Sequence, residues 1–296
     1  FAGLMDDPIN IHGTYVRIIE KRSDHVLLCR FMEHMSVGME WGRKGEEIAY
    51  INHHTLQTIG HGRIDAFRRI NDTDFELTVE EPIPADLELN SGLENLSWTP
   101  AAIIRNSVFE SCRARGILIT TPKPVLVENN QFMSSGSAIL IAGDVNSWYE
   151  SGACNDVLIR NNEFFDPVNT SEYQFTEAMI SIYPEIPVMN AQTPPYHRNI
   201  RIEQNRFHAF DYPILFAQSV EGLSFSNNKL IRSYAFRPYH RQKATISISG
   251  CRKVRILNNT VDDQLLGKNL RYRYMKKNEI RCQSDVKLET WTEAND

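Results

Sequence analysis

Apolar residues alternate with polar ones in short runs along this chain, and the runs repeat. "VLVENNQF" (125–132), "VLIRNNEF" (157–164), "IRIEQNRF" (200–207), "LSFSNNKL" (223–230) and "VRILNNTV" (254–261) share one pattern. "AIIRNSVF" (102–109) is a looser sixth copy. The second Asn position falls at Ser107, Asn130, Asn162, Asn205, Asn228 and Asn259, so the steps are 23, 32, 43, 23 and 31 residues. The short step is 23, and the others are 23 plus an insertion of 9, 20 or 8. A second alternating strand precedes each of the last five copies: "GILIT", "AILIA", "MISIY", "PILFA" and "TISIS", with "PINIH" (8–12) fitting the same template. Aligning the first inward residue gives Ile9, Ile117, Ile139, Ile180, Ile214 and Ile246.

Period-2 alternation marks half-buried strands. Short strands recurring near 23 residues predict an all-β, right-handed parallel β-helix, a single-stranded solenoid of stacked coils. The Asn pairs belong at the corners. Asn tolerates left-handed backbone, and its amide can bond to its neighbours in the stack. These asparagines therefore read as structural, not as ligands.

One block breaks the repeat. Residues 15–96 hold "YVRIIEKR", "HVLLCRF", "EEIAYIN", "DAFRRI", "DFELTVE" and "EPIPADL", shorter runs separated by turns. They predict a small antiparallel β domain inserted in the solenoid. The expected division is residues 1–14 and 97–265 as coils, 15–96 as the insertion, and 266–296 as a C-terminal tail or cap. The surplus before Asn205 is expected in the turn after Phe164 and in the loop 184–198.

Candidate chemistry follows from which side chains alternation turns outward. In "GLMDDPINIHG" (3–13), Ile9 and Ile11 point in, so Asn10 and His12 point out. Adjacent Asp6 and Asp7 fit a turn entering the strand, where both reach solvent. Asp7 aligns with Arg115 one coil on. The insertion "GDVNSWYESGACN" (143–155) packs Asp144, Asn146, Trp148 and Glu150 into seven residues. An aromatic face with polar neighbours is a way to hold a sugar ring. Coils rise about 4.8 Å each, so coil one and coil three lie roughly 10 Å apart. Carboxylates there could close to the ~6.5–9.5 Å that inverting glycosidases use. Glu177, Glu185 and Asp211 lie further along and read as outer or structural groups.

Composition excludes more than it assigns. A net charge of −5 speaks against nucleic acid as partner. "RYRYMKK" (271–277) is the one dense basic run and reads as a solvated or fraying face. Apolar runs fall short of the roughly 20 residues that span a bilayer. Five widely spaced cysteines without CxxC signal neither zinc nor a disulfide framework. His12 lacks companions for a metal site, and His53, His54 and His61 lack ligand spacing. No GxSxG and no phosphate loop are present.

The segments "GLMDDPINIHGTYVRI", "RARGILITT", "ILIAGDVNSWYESG", "DVLIRNNEF" and "PYHRNIRIEQN" together resemble glycoside hydrolase family 110. These are bacterial β-helix α-1,3-galactosidases, some acting on the blood group B antigen. The resemblance runs from residue 3 to about residue 261, inserted domain included. It implies hydrolysis of a terminal α-1,3-linked galactose with inversion and no obligatory cofactor. Its Asp-Asp motif matches Asp6 and Asp7, and its W-x-E-S-G loop matches Trp148 to Gly152. Family members begin some hundreds of residues earlier, so the resemblance implies that N-terminal coils are missing here.

The resulting expectation is an exo-acting inverting galactosidase with Asp6, Asp7 and Glu150 as catalytic acids. Asn10, His12, Arg115, Asp144, Asn146 and Trp148 would serve the sugar or the acids. The partner would be an α-galactosyl glycan, with no membrane insertion, homo-oligomer formation left open, and a periplasmic or extracellular location. Two alternatives remain: another β-helix hydrolase or lyase, and a non-catalytic glycan-binding β-helix.

Overall fold

The computed structural model describes residues 1–166, 168, 170, 177–187 and 189–291. Nearly every element is a β-strand, and the fold is a parallel β-helix with one antiparallel insertion. Three parallel sheets wrap the core. One runs through Ile9–His12, Ile117–Thr120, Ile139–Ile141, Ile180–Ile182, Leu215–Gln218, Ile246–Ser249 and Asn269–Arg273. The second has seven strands and the third six. Each coil visits the three sheets in turn, as in 117–120, 125–128 and 131–133.

The core follows from the alternation. Inward Ile, Val, Leu and Phe side chains stack coil on coil in one continuous cluster. Phe109, Phe132, Phe164 and Phe207 form a column with ring centroids 4.8, 5.0 and 4.5 Å apart and planes within 7° of parallel. That spacing is the strand spacing itself, so identical side chains meet at van der Waals distance.

The corners carry the polar half of the design. The first residue of each pair is left-handed: Asn106, Asn129, Asn161, Gln204, Asn227 and Asn258, with φ between 53 and 59°. The second forms a buried ladder. Asn162 Oδ1 accepts from the Asn130 backbone N–H (2.9 Å) and Nδ2 (3.0 Å). Asn162 Nδ2 in turn donates to Val127 O (3.0 Å) and Asn205 Oδ1 (3.1 Å). The same exchange runs from Ser107 to Ser284. Every amide in it is desolvated and partnered, which such burial requires.

The insertion is a closed six-stranded barrel. Its strands are β1 (Ile9–Lys21), β2 (Val26–Arg30), β3 (Glu47–Ile51), β4 (Thr58–Arg69), β5 (Asp74–Val79) and β6 (Gly92–Asn95). Antiparallel pairing runs β1–β2–β5–β4–β3–β6 and back to β1. Trp41, Phe75, Ile18, Leu27 and Leu77 fill it. Strand β1 starts in the solenoid and ends in the barrel without a linker.

Four expectations change on the structure. "EPIPADL" is not a strand; only Ile83 of it is buried, and the sixth strand is Gly92–Asn95. Leu215, not Ile214, pairs with Ile180, so Phe216 takes the outward position. Adjacent apolar residues carry no phase, and both Ile214 and Leu215 are buried. Residues 269–290 do not trail off as a tail: Asn269–Arg273, Ile280–Gln283 and Lys287–Thr290 extend the parallel ladders. The basic run therefore begins inside a sheet, with Arg271 beside Ser247 and Arg273 beside Ser249. The turn after Phe164 lies largely outside the described residues.

The ladder makes a direct prediction. Asn162→Leu strands an amide of Asn130 and the carbonyl of Val127, and should cost about 2–4 kcal/mol in urea denaturation. Asn129→Gly, at a left-handed corner, should stay within about 1 kcal/mol of the parent.

Candidate active site

A cavity of about 260 Å³ opens on the outward face of the first sheet. Leu118 and Leu140 form its apolar floor, and Asp6, Asp7, Asn10 and Arg115 one side. Gly143, Asp144, Trp148 and Glu150 come from the long insertion of the third coil. Thr120, Ala142, Tyr183, Glu185 and Met35 complete it, Met35 from the inserted barrel.

The insertion reaches the first coil by strand pairing. Residues Glu150–Ser151 lie antiparallel to β1, with Thr14 opposite Glu150 and Gly13 opposite Ser151. The pairing is tight: a Cβ on Gly13 would sit 2.4 Å from Ser151 Oγ, and one on Gly152 only 2.0 Å from Glu94 Oε1. The Tyr15 backbone N–H donates to Tyr149 O (2.8 Å). Glu150 is thereby held over the first coil, where its Oε1 accepts from Asn10 Nδ2 (2.8 Å).

The paired aspartates differ sharply. Asp7 is nearly enclosed, its side chain 6% exposed. Both its oxygens accept from Arg115: the backbone N–H (2.9 Å), Nε (2.9 Å to each oxygen) and Nη2 (2.7 Å). Burial alone would lower the Arg115 pKa, but the bond and charge of Asp7 more than offset it and hold the cation. Asp6 is exposed, and its Oδ1 accepts the Asp7 backbone N–H (2.8 Å). Among the described residues its Oδ2 has no protein partner, so Asp6 presents a lone pair that Asp7 does not.

The other predicted residues divide similarly. Trp148 is 63% exposed, its ring open to the cavity. Asp144 is buried, its carboxylate capping the loop by accepting the N–H groups of Asn146 (2.7 Å), Ser147 (3.0 Å) and Trp148. That caps the turn that presents Trp148 and leaves Asp144 little capacity for a sugar. Asn146 is not in the lining; its Nδ2 donates to His53 O (2.9 Å) and ties the loop to the barrel. His12 is also outside the lining, with Nδ1 2.7 Å from Gly13 O.

Of three further lining residues, Met35 escaped the sequence reading, Tyr183 aligns with His12 in an outward column, and Glu185 read as an outer or structural group. Met35 comes from a barrel turn, which repeat alignment cannot place. Tyr183 and Glu185 follow the strand Ile180–Ile182, and their N–H groups bond to Ile141 O and Gly143 O (both 2.9 Å). Strand register turns Tyr183 outward as expected, and Glu185 lies in the same cavity as the acids and not at the outer position expected of it. Lost hydration, then the charge of Asp144, raises the Glu185 pKa, although the side chain keeps solvent contact. Burial likewise pushes the Tyr183 hydroxyl up to about 12. Elsewhere, ligand atoms of His53, His54 and Glu88 lie within 4.8 Å of one another on the barrel, a grouping that spacing missed.

Residues 26–90 match a family model described as GLAA-B beta-barrel domain II. Over 281 residues, 95% of this chain, the sequence is 54% identical to alpha-1,3-galactosidase B of Bacteroides thetaiotaomicron, of which the match covers 46%. Alpha-1,3-galactosidase B of Akkermansia muciniphila is 43% identical over 88% of this chain and 33% of its own length. Alpha-1,3-galactosidase A of Bacteroides fragilis is 38% identical over 95% of this chain and 46% of its own. The chain thus spans less than half the length of these relatives. No described helix is long and apolar enough to cross a membrane.

Two predictions test the architecture of this site. Arg115→Met leaves Asp7 buried without its cation and should destabilise the fold by about 3 kcal/mol in urea titrations. Glu94, fully buried beneath Gly152, has its pKa pushed by burial from 4.5 to about 7. The folded chain keeps that proton while the unfolded chain releases it near 4.5, so stability falls as pH rises between these values. The loss should be about 3 kcal/mol and level off above pH 7. Denaturation midpoints at pH 5 and pH 8 read it, and Glu94→Gln should remove this part of the slope.

Proposed function

We propose that this chain carries catalytic machinery of an exo-acting α-1,3-galactosidase of the family 110 type, working with inversion. The observation that carries the reading is the meeting of Asp6 and Glu150 in one cavity under an exposed tryptophan. The names of the relatives agree with it. A terminal galactose would stack on Trp148, with Asn10 and Glu185 available to its hydroxyls. One of Asp6 and Glu150 would protonate the leaving glycosidic oxygen. The other would draw a proton from water attacking the anomeric carbon on the opposite ring face. Asp7 and Arg115 would fix the turn that presents Asp6. This chemistry needs no cofactor. The substrate class would include blood group B-type termini. Such glycans lie outside the bacterial cytoplasm, which favours a periplasmic or extracellular location.

Galactose release from an α-1,3-linked galactosyl disaccharide, followed by proton NMR, tests the proposal. The chain should be run beside a version extended to the length of its relatives. β-Galactose as the first anomer is the expected product. Asp6→Asn and Glu150→Gln should each lower kcat by about a thousandfold or more, and Glu185→Gln by about tenfold. An aryl galactoside with a good leaving group should rescue the variant that lost the proton donor. Unchanged kcat in Asp6→Asn would remove that residue from the mechanism. Binding without turnover in both lengths would make the chain a glycan-binding β-helix.

A further inference from the structure

Two histidines and a glutamate meet on the inserted barrel. One ring nitrogen each of His53 and His54 and one carboxylate oxygen of Glu88 lie within 4.8 Å of one another. The histidines follow β3, and Glu88 sits in the connection before β6. Both backbones are held by their own turns. Asn52 Oδ1 accepts the N–H groups of His54 (2.9 Å) and Thr55 (3.0 Å), and Leu56 N–H donates to Asn52 O (2.8 Å). Leu56 is left-handed, with φ 59°, and its side chain is buried. On the other side Glu88 O accepts the Ser91 N–H (3.3 Å), and Asn90 N–H donates to Ile18 O of β1 (3.0 Å).

The side chains lie close without satisfying one another. The His53 and His54 ring centroids are 3.9 Å apart, and His54 Nε2 is 3.9 Å from Glu88 Oε2. His53 Nδ1 is buried and has no hydrogen-bond partner among the described residues. A buried nitrogen left in that state is uncommon, and a metal bound to it would fill its lone pair. Lost hydration, then the charge of His54, lowers the His53 pKa, with Glu88 opposing and Arg17 adding least. His53 is therefore neutral at pH 7, the form that ligates. The His54 and Glu88 side chains are 65% and 58% exposed, free to rotate inward to the bonds of about 2.0–2.2 Å that zinc makes. Two imidazoles and one carboxylate suit zinc, with water in the fourth tetrahedral position, and offer too few oxygens for calcium.

The grouping touches the frame of the candidate active site. His53 O accepts Asn146 Nδ2 (2.9 Å), from the loop that carries Trp148 and Glu150. Leu56, Val145 and Tyr149 share one buried cluster beside it. We propose that His53, His54 and Glu88 form a structural zinc site that joins the turn after β3 to the turn before β6 and, through His53, steadies the loop 143–155. The ion takes no part in the reaction, so the site holds whether or not the neighbouring cavity hydrolyses galactosides.

The test is calorimetric titration of the chelator-treated chain with zinc chloride. One zinc per chain is expected, and cobalt(II) in its place should give the strong visible absorption of tetrahedral coordination. His54→Ala and Glu88→Gln alter exposed side chains and should each weaken zinc binding by about a hundredfold. His61→Ala, on the same barrel but outside the grouping, should bind as the parent does, and calcium chloride should give no heat. Absence of zinc binding, or binding that survives both His54→Ala and Glu88→Gln, would overturn the site. Amide hydrogen exchange reads the link to the loop. Zinc should slow exchange in residues 143–155 of the parent and leave the His54→Ala chain unchanged. Equal exchange with and without bound zinc in the parent would overturn that link.

Discussion

Strand β1 belongs to two sheets at once, and the candidate site depends on that. Its first four residues pair in parallel with Ile117–Thr120, and the residues from Tyr15 onward pair antiparallel within the barrel. At the crossing point, Gly13 and Thr14 accept the short strand Glu150–Ser151. No flexible linker intervenes, so solenoid, barrel and third-coil loop are fixed relative to one another. Asp6 and Asn10, on the first coil, and Glu150, two coils on in the stack, can share a cavity only because of this pairing. Gly13 and Gly152 make it feasible, since side chains there would collide with Ser151 and Glu94.

The two carboxylates of the opening motif show how local chemistry divides labour. Asp7 gives its lone pairs to Arg115 and anchors the corner. Asp6, its neighbour, is left facing solvent. Asp144 is likewise consumed in shaping the loop that exposes Trp148. Around the candidate site, Asp7 and Asp144 build the frame, while Asp6 faces solvent and Glu150 is half-buried. A frame built from ion pairs and strand pairing is rigid, which suits a reaction needing two acids held at a set separation.

The solenoid was legible because stacking imposes a period on the sequence. The Asn corners and Phe column recur since each must meet its own kind one coil away. The barrel was legible as antiparallel strands, yet its sixth strand was misplaced. The run "EPIPADL" is more apolar than "GLEN", which is buried by its neighbours and not by its own pattern. Phase failed at Ile214–Leu215 for want of a polar residue between them. In the site, Asp6, Asn10, Trp148 and Glu150 were readable from strand alternation and loop composition. The capture of Asp7 and Asp144 depends on which donors approach in space. Met35 joins through a tertiary contact that no single repeat encodes.

The central claim is that the cavity between Asp6 and Glu150 receives a terminal galactose. A crystal structure of the Glu150→Gln chain soaked with α-1,3-galactobiose tests it most directly. The account predicts the non-reducing galactose against Trp148, within hydrogen-bond reach of Asp6, with the second sugar directed toward Tyr183. A disaccharide ordered elsewhere on the solenoid, with this cavity holding only water, would contradict it.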